Sequence, residues 1–314
     1  KNTLFLMSFA IALAAPLLPS ADGVLAADQP AVPSQDDMVK PVDWLKSQTA
    51  PDFASNSTLP PLTRWGWAMS YDVAKQLDQI NNFIASGVDA IIVNAVDTNA
   101  TEAMSAAAAA ASIPLVYVNR QPVNMASLPD GQAFVASNEI ESGTLAAFQM
   151  CQQLRAEGKS GGASAYVMMG QLSNQAAVQR TKDFHDVIGM DMCNFITIID
   201  EQTANWSRDE AADLMTNWIS SGEPFDAVFA NNDEMAIGAI QAMKASGISM
   251  DAVVVGGVDA TSDALVAMQA GEMDVTVFQD LAGQGAGSID TAIKLAAGEA
   301  VDKTVFIPFK LVTP

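Results

Sequence analysis

Apolar positions along this chain follow two alternating spacings from residue 72 onward. Apolar residues recur at helical spacing over 73–85, Gly87 ends that pattern, and the apolar run 89–93 comes next. A segment with a 3.6-residue period before a short apolar run is typical of a helix leading into a buried strand. Because this unit repeats to the end of the chain, the sequence predicts an α/β fold with mainly parallel sheets.

The same spacings place the individual elements. The predicted helices are 73–85, 103–111, 142–156, 174–188, 207–220, 233–246, 262–270 and 283–297. The predicted strands are 89–93, 114–118, 164–169, 195–200, 226–230, 252–256, 273–279 and a last strand within 304–312.

Short polar motifs recur beside the apolar runs. They are VNRQP at 118–122, QRTKDF at 179–184, FANNDEM at 229–235, VGGVDAT at 255–261 and VFQD at 277–280. Ligands of open parallel sheets bind at the carboxyl ends of the strands. The placement of these motifs therefore predicts a cleft that binds a small molecule.

The length of 314 residues exceeds what one hydrophobic core usually supports, so we expect two lobes. Polar or turn-prone stretches at 134–143, 278–285 and 304–311 are the predicted crossings between them. These crossings assign 72–137 plus 280–308 to an N-terminal lobe and 138–279 plus 309–314 to a C-terminal lobe. Three crossings predict a hinge.

The first 71 residues follow a different pattern. Lys1 precedes an apolar run over 4–18, and small residues near 24–27 suit a signal peptidase, so we predict a signal peptide at 1–27 and export. Residues 28–71 contain six prolines and scattered tryptophans, and no first strand can be placed there.

The charge of the chain limits the classes of partner it can bind, and its two cysteines can be either paired or free. The net charge of −21 repels phosphate backbones, which makes DNA and RNA poor partners. Export permits a disulfide between Cys151 and Cys193. Two cysteines without a framework spacing also suit buried small side chains, and we favour free thiols.

The sequence contains no HExxH, CxxC or Walker motif. His185 is its one histidine, and a solvated position on the predicted helix 174–188 is favoured over a catalytic role. The run GQGAG at 283–287 lacks the third spacing of a dinucleotide-binding loop, and no acidic cluster has the spacing of a calcium loop. We therefore expect no enzyme activity, no cofactor and no bound metal.

Four segments carry a family resemblance, namely 72–98, 113–122, 227–239 and 253–261. Together and in this order they resemble the type I periplasmic sugar-binding proteins of ABC importers, of the ribose, galactose and inositol type. DVAKQLDQINNFI and VNRQP are most similar to the cyclitol and rhizopine-like branch. The resemblance runs from about Asp72 to the C-terminus.

The resemblance implies two Rossmann-like lobes that close on a neutral sugar or cyclitol. It also implies a monomeric periplasmic receptor that delivers its ligand to permease subunits in the inner membrane. A periplasmic receptor for a sensory or chemotaxis system is the alternative, because it would use the same ligand site.

Seven positions match the family's ligand contacts. They are Asn119, Arg120, Arg180, Trp206, Asn232, Asp259 and Gln279. Many relatives have Asp where this chain has Asn119, which alters the balance of donors and acceptors. Trp206 matches the aromatic that stacks on the sugar ring, and the other six supply hydrogen bonds to hydroxyl groups.

Each position also has a purely structural interpretation. Arg180 suits a surface cation on its helix, and Trp206 suits half-buried packing. Asp259 suits a cap for the helix predicted at 262, and Asn232 suits a helix start.

Relatives open with a strand, a polar loop followed by aromatics, and a first helix, and residues 28–71 lack that unit. Because the family pattern returns abruptly at Asp72, one hypothesis is that this stretch was translated in a shifted frame.

Overall fold

The computed structural model describes residues 72–314 and the backbone of two short strands before them, β1 (Met38–Val39) and β2 (Trp65–Ala68). The predicted signal peptide and the remainder of 28–71, including the shifted-frame hypothesis, lie outside the described residues. None of the helices in the described part of the chain combines the length and the apolar character that a membrane span requires.

Between 72 and 314 the helices and strands mostly alternate along the chain, and strands follow one another directly only at 115–136 and 304–312. The helices are α1 (Val73–Ser86), α2 (Thr101–Ala110), α3 (Glu139–Ala156), α4 (Gln175–Ile188), α5 (Arg208–Ser221), α6 (Asp233–Ala245), α7 (Ser262–Gln269) and α8 (Leu281–Ala296). The strands are β3 (Ala90–Val93), β4 (Leu115–Val118), β5 (Gln132–Ala136), β6 (Ala163–Met169), β7 (Ile196–Thr203), β8 (Ala227–Ala230), β9 (Val254–Gly256), β10 (Thr276–Phe278), β11 (Thr304–Phe306) and β12 (Lys310–Val312).

The first sheet is parallel, with strand order β11-β5-β4-β3-β2. Strands β3, β4 and β5 are buried on both faces, which explains their continuous apolar runs. Ile91 and Tyr117 pack on one face with side chains of α1 and α2. Ile92 and Val116 pack on the other face with Ala292 of α8.

The second sheet has the order β7-β6-β8-β9 and is also parallel. Single bridges extend it from β9 toward β10, which pairs with β12, and β12 pairs with β1. Tyr166 of β6 packs on one face beside Trp218 of α5, and Val167 packs on the other beside Phe184 of α4. Each sheet therefore has its own core of helices on both faces.

Between residues 72 and 314, three connections link the two sheets, at residues 137–138, 279–280 and 307–309. All three fall within the predicted crossing stretches. The prediction of an α/β fold with two parallel-sheet lobes and a three-segment hinge is confirmed. The residue boundaries assigned to each lobe stay a prediction.

Strand β5 was not predicted, and one strand prediction was wrong. The stretch 134–143 contains the crossing at 137–138, but its first residues belong to the buried strand β5. The single strand expected within 304–312 is two strands, β11 in the first sheet and β12 paired with β10. The sequence pattern did not separate β11 from β12, because both lie in one apolar run. They differ in the sheet to which each belongs, which the sequence pattern does not show.

The expectation of free thiols was also wrong, because Cys151 and Cys193 form a disulfide. Cys151 lies on α3, and Cys193 lies in the loop that follows α4. Arg155 Nη1, one turn beyond Cys151, donates to the carbonyl of Met192 at 2.9 Å. Packing of α3 against this loop brings the two Cα atoms to 5.7 Å, a separation that a disulfide can bridge.

Candidate functional site

One cleft of about 480 Å³ opens between the two lobes at the carboxyl ends of their strands. All seven residues singled out in the sequence line it. They come from the ends of β4, β7, β8 and β10, from helix α4 and from the loop after β9. The structure therefore brings the whole predicted set together, while their role in binding stays a prediction.

Arg180 lies at the centre of the polar wall. It is buried, and its Nε and Nη2 donate to the two carboxylate oxygens of Glu139 at 2.7 and 3.1 Å. Its Nη1 donates to the carbonyl of Asn231 at 2.7 Å and lies 3.9 Å from Asp259 Oδ1. Burial lowers the pKa of Arg180, but the neighbouring Glu139 and Asp259 outweigh it and leave that pKa raised. The surface-cation interpretation of Arg180 is wrong.

Asn119 and Arg120 reach the cleft from the end of β4. Asn119 has φ of +68°, a left-handed conformation that Asn tolerates better than most residues, and its Nδ2 donates to Gln284 Oε1 at 3.4 Å. Arg120 Nη1 donates to the carbonyls of Ala95 and Val96, each at 3.0 Å. These backbone contacts fix the guanidinium at the rim of the first lobe.

Trp206 forms an aromatic wall beside Arg180. A left-handed turn at Asn205 and Trp206 carries the ring into the cleft, where it lies 5.8 Å from Arg180 Cζ. A Cβ atom at Gly170 would lie 2.2 Å from the ring, so only glycine fits beneath it. The ring is half-buried, and its Nε1 has no hydrogen-bond partner among the described residues. Trp206 therefore both packs against the protein and lines the cleft, so the packing interpretation is compatible with its place in the cleft.

Asn232 and Gln279 complete the set of amides. Asn232 Oδ1 accepts from Met235 N at 3.1 Å and caps α6, so the helix-start interpretation is correct alongside its place in the cleft. Gln279 is buried, and its Nε2 has no partner within the described part of the chain. A buried amide N–H without a partner is costly, which favours a ligand oxygen at this point.

Asp259 faces Arg180 from the loop after β9. It does not cap the following helix, because Thr261 Oγ1 accepts from Ala264 N and caps α7. Burial raises the pKa of Asp259 to about 7, although Arg180 opposes that rise. Behind it, burial and the proximity of Asp259 also raise the pKa of Asp233, whose carboxylate accepts from Thr276 Oγ1 at 2.7 Å and Thr261 N at 2.8 Å.

Other cleft residues escaped the sequence reasoning. Gln171 and Asn174 lie just after β6, and Asn174 is buried with an Oδ1 that has no partner among the residues described. The strand-end rule would have found both, because β6 was predicted. Glu139 had no such signal, since it lies in the stretch expected to be a crossing.

A second hollow of about 430 Å³ lies on the surface of the C-terminal lobe. Arg208 in its wall bonds Glu234 at 2.9 Å and Asp263 at 2.7 Å, and Lys244 is paired with Glu272. Both cations are already neutralised within the protein. The cleft between the lobes is therefore the better candidate site.

Comparisons with known proteins agree with this geometry. The sequence model of the periplasmic binding protein domain matches residues 67–300. A protein of Rhizobium meliloti named for rhizopine binding is 65% identical over 242 residues, 77% of each chain. The ribose import binding protein of Bacillus subtilis is 30% identical over 77% of this chain and 74% of that one.

Solved structures of this kind superpose on the chain. An ABC transporter solute-binding protein from Bacillus halodurans C-125 with bound myo-inositol has a TM-score of 0.71 and 41% identity, covering 78% of this chain and 81% of that one. One from Actinobacillus succinogenes with bound D-allose has a TM-score of 0.70 and 26% identity, covering 77% and 84%. The chain belongs to the periplasmic binding protein family.

Proposed function

We propose that this protein is the solute-binding component of an ABC importer and captures a neutral monosaccharide or cyclitol between its two lobes. The single observation that carries this proposal is the convergence of amide, guanidinium, carboxyl and indole groups from both lobes on one cleft. Polyols carry hydroxyl groups around their rims and apolar C–H faces. A wall of amides and ion-paired charges with one flat aromatic matches both features.

The unpartnered polar atoms support a hydroxylated ligand. Gln279 Nε2 and Trp206 Nε1 are donors, and Asn174 Oδ1 is an acceptor, each without a partner among the described residues. A hydroxyl group both donates and accepts, so adjacent hydroxyls can satisfy donors and acceptors in one small space. The relatives with bound myo-inositol and D-allose favour the same ligand class.

The wider assignments follow from the family. Its name implies a periplasmic location, and relatives named as import and solute-binding proteins favour transport over the sensory alternative. Permease subunits of the inner membrane are the proposed partners, and a monomer is the proposed state. A cleft lined by both lobes can favour a closed form through the ligand's differential affinity for it, and a permease could recognise that form.

Thermal unfolding with a panel of polyols tests the function. We expect myo-inositol or related cyclitols to raise the melting temperature of the protein. Ribose, galactose and allose are the comparison sugars. A protein that shows no shift with any neutral polyol would not be a polyol receptor.

Trp206→Ala tests the aromatic wall with the ligand that gives the largest shift. Loss of the stacking surface should weaken binding by about 10- to 100-fold in calorimetric titrations. Trp206→Phe keeps a flat ring and should retain most of the affinity. Trp218→Phe is the matched control, because Trp218 stacks on Tyr166 outside the cleft. Equal affinities for Trp206→Ala and the wild type would move the site elsewhere.

A further inference from the structure

Glu139 is a buried carboxylate in the wall of a cleft proposed to bind an uncharged ligand. It lies in the first turn of α3, immediately after the crossing from the first lobe, and its side chain is 5% exposed. Its Oε2 accepts from Arg180 Nε at 2.7 Å and from Ser142 Oγ at 2.9 Å, and its Oε1 accepts from Arg180 Nη2 at 3.1 Å. Both oxygens are therefore occupied within the protein.

The place that Glu139 fills is suited to an anion. A guanidinium with two parallel N–H groups is the preferred partner of a carboxylate, and the first turn of a long helix favours negative charge. Without an internal carboxylate, Arg180 and this helix end would attract the acidic group of a ligand. Glu139 supplies that group from inside the protein.

The numbers of positive and negative side chains that line the cleft also favour an uncharged ligand. Its lining contains two guanidinium groups, of Arg120 and Arg180, and two carboxyl groups, of Glu139 and Asp259. The formal charges cancel when both carboxyl groups are ionised, and because the pKa of Asp259 is raised to about 7, this balance holds above about pH 7. In a site where a bound ligand is shielded from water, one uncompensated charge would bias which ligands bind.

The ion pair also orients Arg180. Three of the five N–H groups of a guanidinium are directed to Glu139 and to the carbonyl of Asn231. Two N–H groups remain, one on Nη1 and one on Nη2, and Asp259 Oδ1 lies 3.9 Å from Nη1. Glu139 therefore fixes which donors of Arg180 a ligand can reach.

We propose that Glu139 is a specificity-determining residue that neutralises and orients Arg180, so that the cleft accepts uncharged polyols and rejects sugar acids. The inference rests on the proposed function for its neutral ligand, but its prediction for anions is separate. Loss of the Glu139 charge should convert the guanidinium into a receptor for a carboxylate.

Calorimetric titration of Glu139→Gln tests the proposal with myo-inositol, D-ribose and D-galactose as neutral probes and D-glucuronate and D-galacturonate as anionic probes. We expect affinity for the neutral probe that binds the wild type to fall by about tenfold, and affinity for a uronate to rise by about tenfold or more. Added salt should reduce the gain for uronates, because it screens the attraction.

Two variants separate specificity from structure. Glu141→Gln removes the same charge from the same turn of α3, and Glu141 does not line the cleft, so this variant should keep the selectivity of the wild type. The double variant Glu139→Gln with Arg180→Gln removes both charges and should bind uronates no better than the wild type. A gain for uronates in either of these two would refute the charge argument.

Unchanged selectivity in Glu139→Gln, or weaker polyol binding without any gain for uronates, would overturn the proposal. If the variant is too unstable for calorimetry, its melting temperature should rise with D-glucuronate over sodium chloride at equal ionic strength. The absence of that rise also refutes it. A wild type that binds no neutral probe contradicts the proposed function, whereas the uronate comparison between wild type and Glu139→Gln still decides the role of Glu139.

Discussion

Asp183 is a buried carboxyl group in an environment that disfavours its ionised form. Its Oδ1 accepts from Gln179 Nε2 at 2.6 Å, and its Oδ2 has no partner among the described residues. Burial raises its pKa to about 8, and the hydrogen bond from Gln179 opposes that rise only in part. The folded protein therefore holds a proton on Asp183 at pH values where the unfolded chain, with a pKa of about 3.9, has lost it.

This difference predicts a pH dependence of stability. The folded state binds the extra proton between about pH 4 and pH 8, so the free energy of unfolding falls as the pH rises through that window. Asp183→Asn should reduce this fall and should exceed the wild type in stability at pH 9, by about 1.4 kcal/mol for each unit of pKa shift removed. In the Asp183→Asn variant, Asp259 and Asp274 should retain part of the pH dependence of stability, because burial raises their pKa values to about 7 and about 6.

Urea unfolding of Asp183→Asn and the wild type at intervals from pH 4 to pH 9 measures this effect. Asp213→Asn is the control, since it removes an exposed carboxylate from α5. A variant as pH-dependent as the wild type would contradict the assignment of a raised pKa to Asp183.

At the scale of elements, hydrophobic periodicity located helices and strands because each one needs only its own pattern to bury a face. Helix α1 was expected at 73–85 and spans Val73–Ser86, and α6 was expected at 233–246 and spans Asp233–Ala245. Strand β5 was missed, because its apolar run leads directly into polar residues. Its pairing with β4 and β11, from elsewhere in the chain, identifies it as a strand.

The disulfide between Cys151 and Cys193 ties α3 to the loop after α4. The two cysteines are separated by 42 residues, and the chain-entropy relation gives about 4 kcal/mol for a loop of this length, against a usual range of about 2–4 kcal/mol. We expect the double variant Cys151→Ser with Cys193→Ser to lose stability within that range. Urea unfolding checks this prediction.

Reduction of the wild type supplies a second measurement for the disulfide. Dithiothreitol should lower the unfolding midpoint of the wild type toward that of the double serine variant and should leave the variant itself unchanged. A midpoint for the wild type that does not respond to reduction would contradict a stabilising role.

At the scale of the whole molecule, one residue bridges the two lobes beside the cleft. Thr98 follows β3 of the first sheet, and Ser173 precedes α4 of the second lobe. The backbone N and the Oγ1 of Thr98 donate to the carbonyl of Ser173 at 3.3 and 2.8 Å, and Thr98 is buried. Separation of the lobes would break both hydrogen bonds, so this contact favours the closed arrangement.

Thr98→Val should weaken ligand binding without touching the ligand. One hydrogen bond contributes about 0.5–1.5 kcal/mol, so affinity should fall by about 2- to 10-fold if closure accompanies binding. Calorimetry measures the affinity, and small-angle X-ray scattering reports the more open average shape. Thr216→Val is the matched control, because its hydroxyl bonds Ala212 within α5. Equal losses in the two variants would argue against a role for the bridge in closure.

The sequence by itself determined the alternating helices and strands, the two-lobed α/β fold and seven residues that line one cleft. The elements and the fold depend on local periodicity, and the cleft follows from the rule that parallel strands end at one edge, which a linear pattern can express. The seven residues were identified by the family resemblance of the motifs that contain them. Only the tertiary structure decided the partner of Arg180, the pairing of the cysteines and the division of the last apolar run into β11 and β12. Each of these depends on segments far apart in the chain coming within a few ångströms, because ion pairs, disulfides and strand ladders form between neighbours in space.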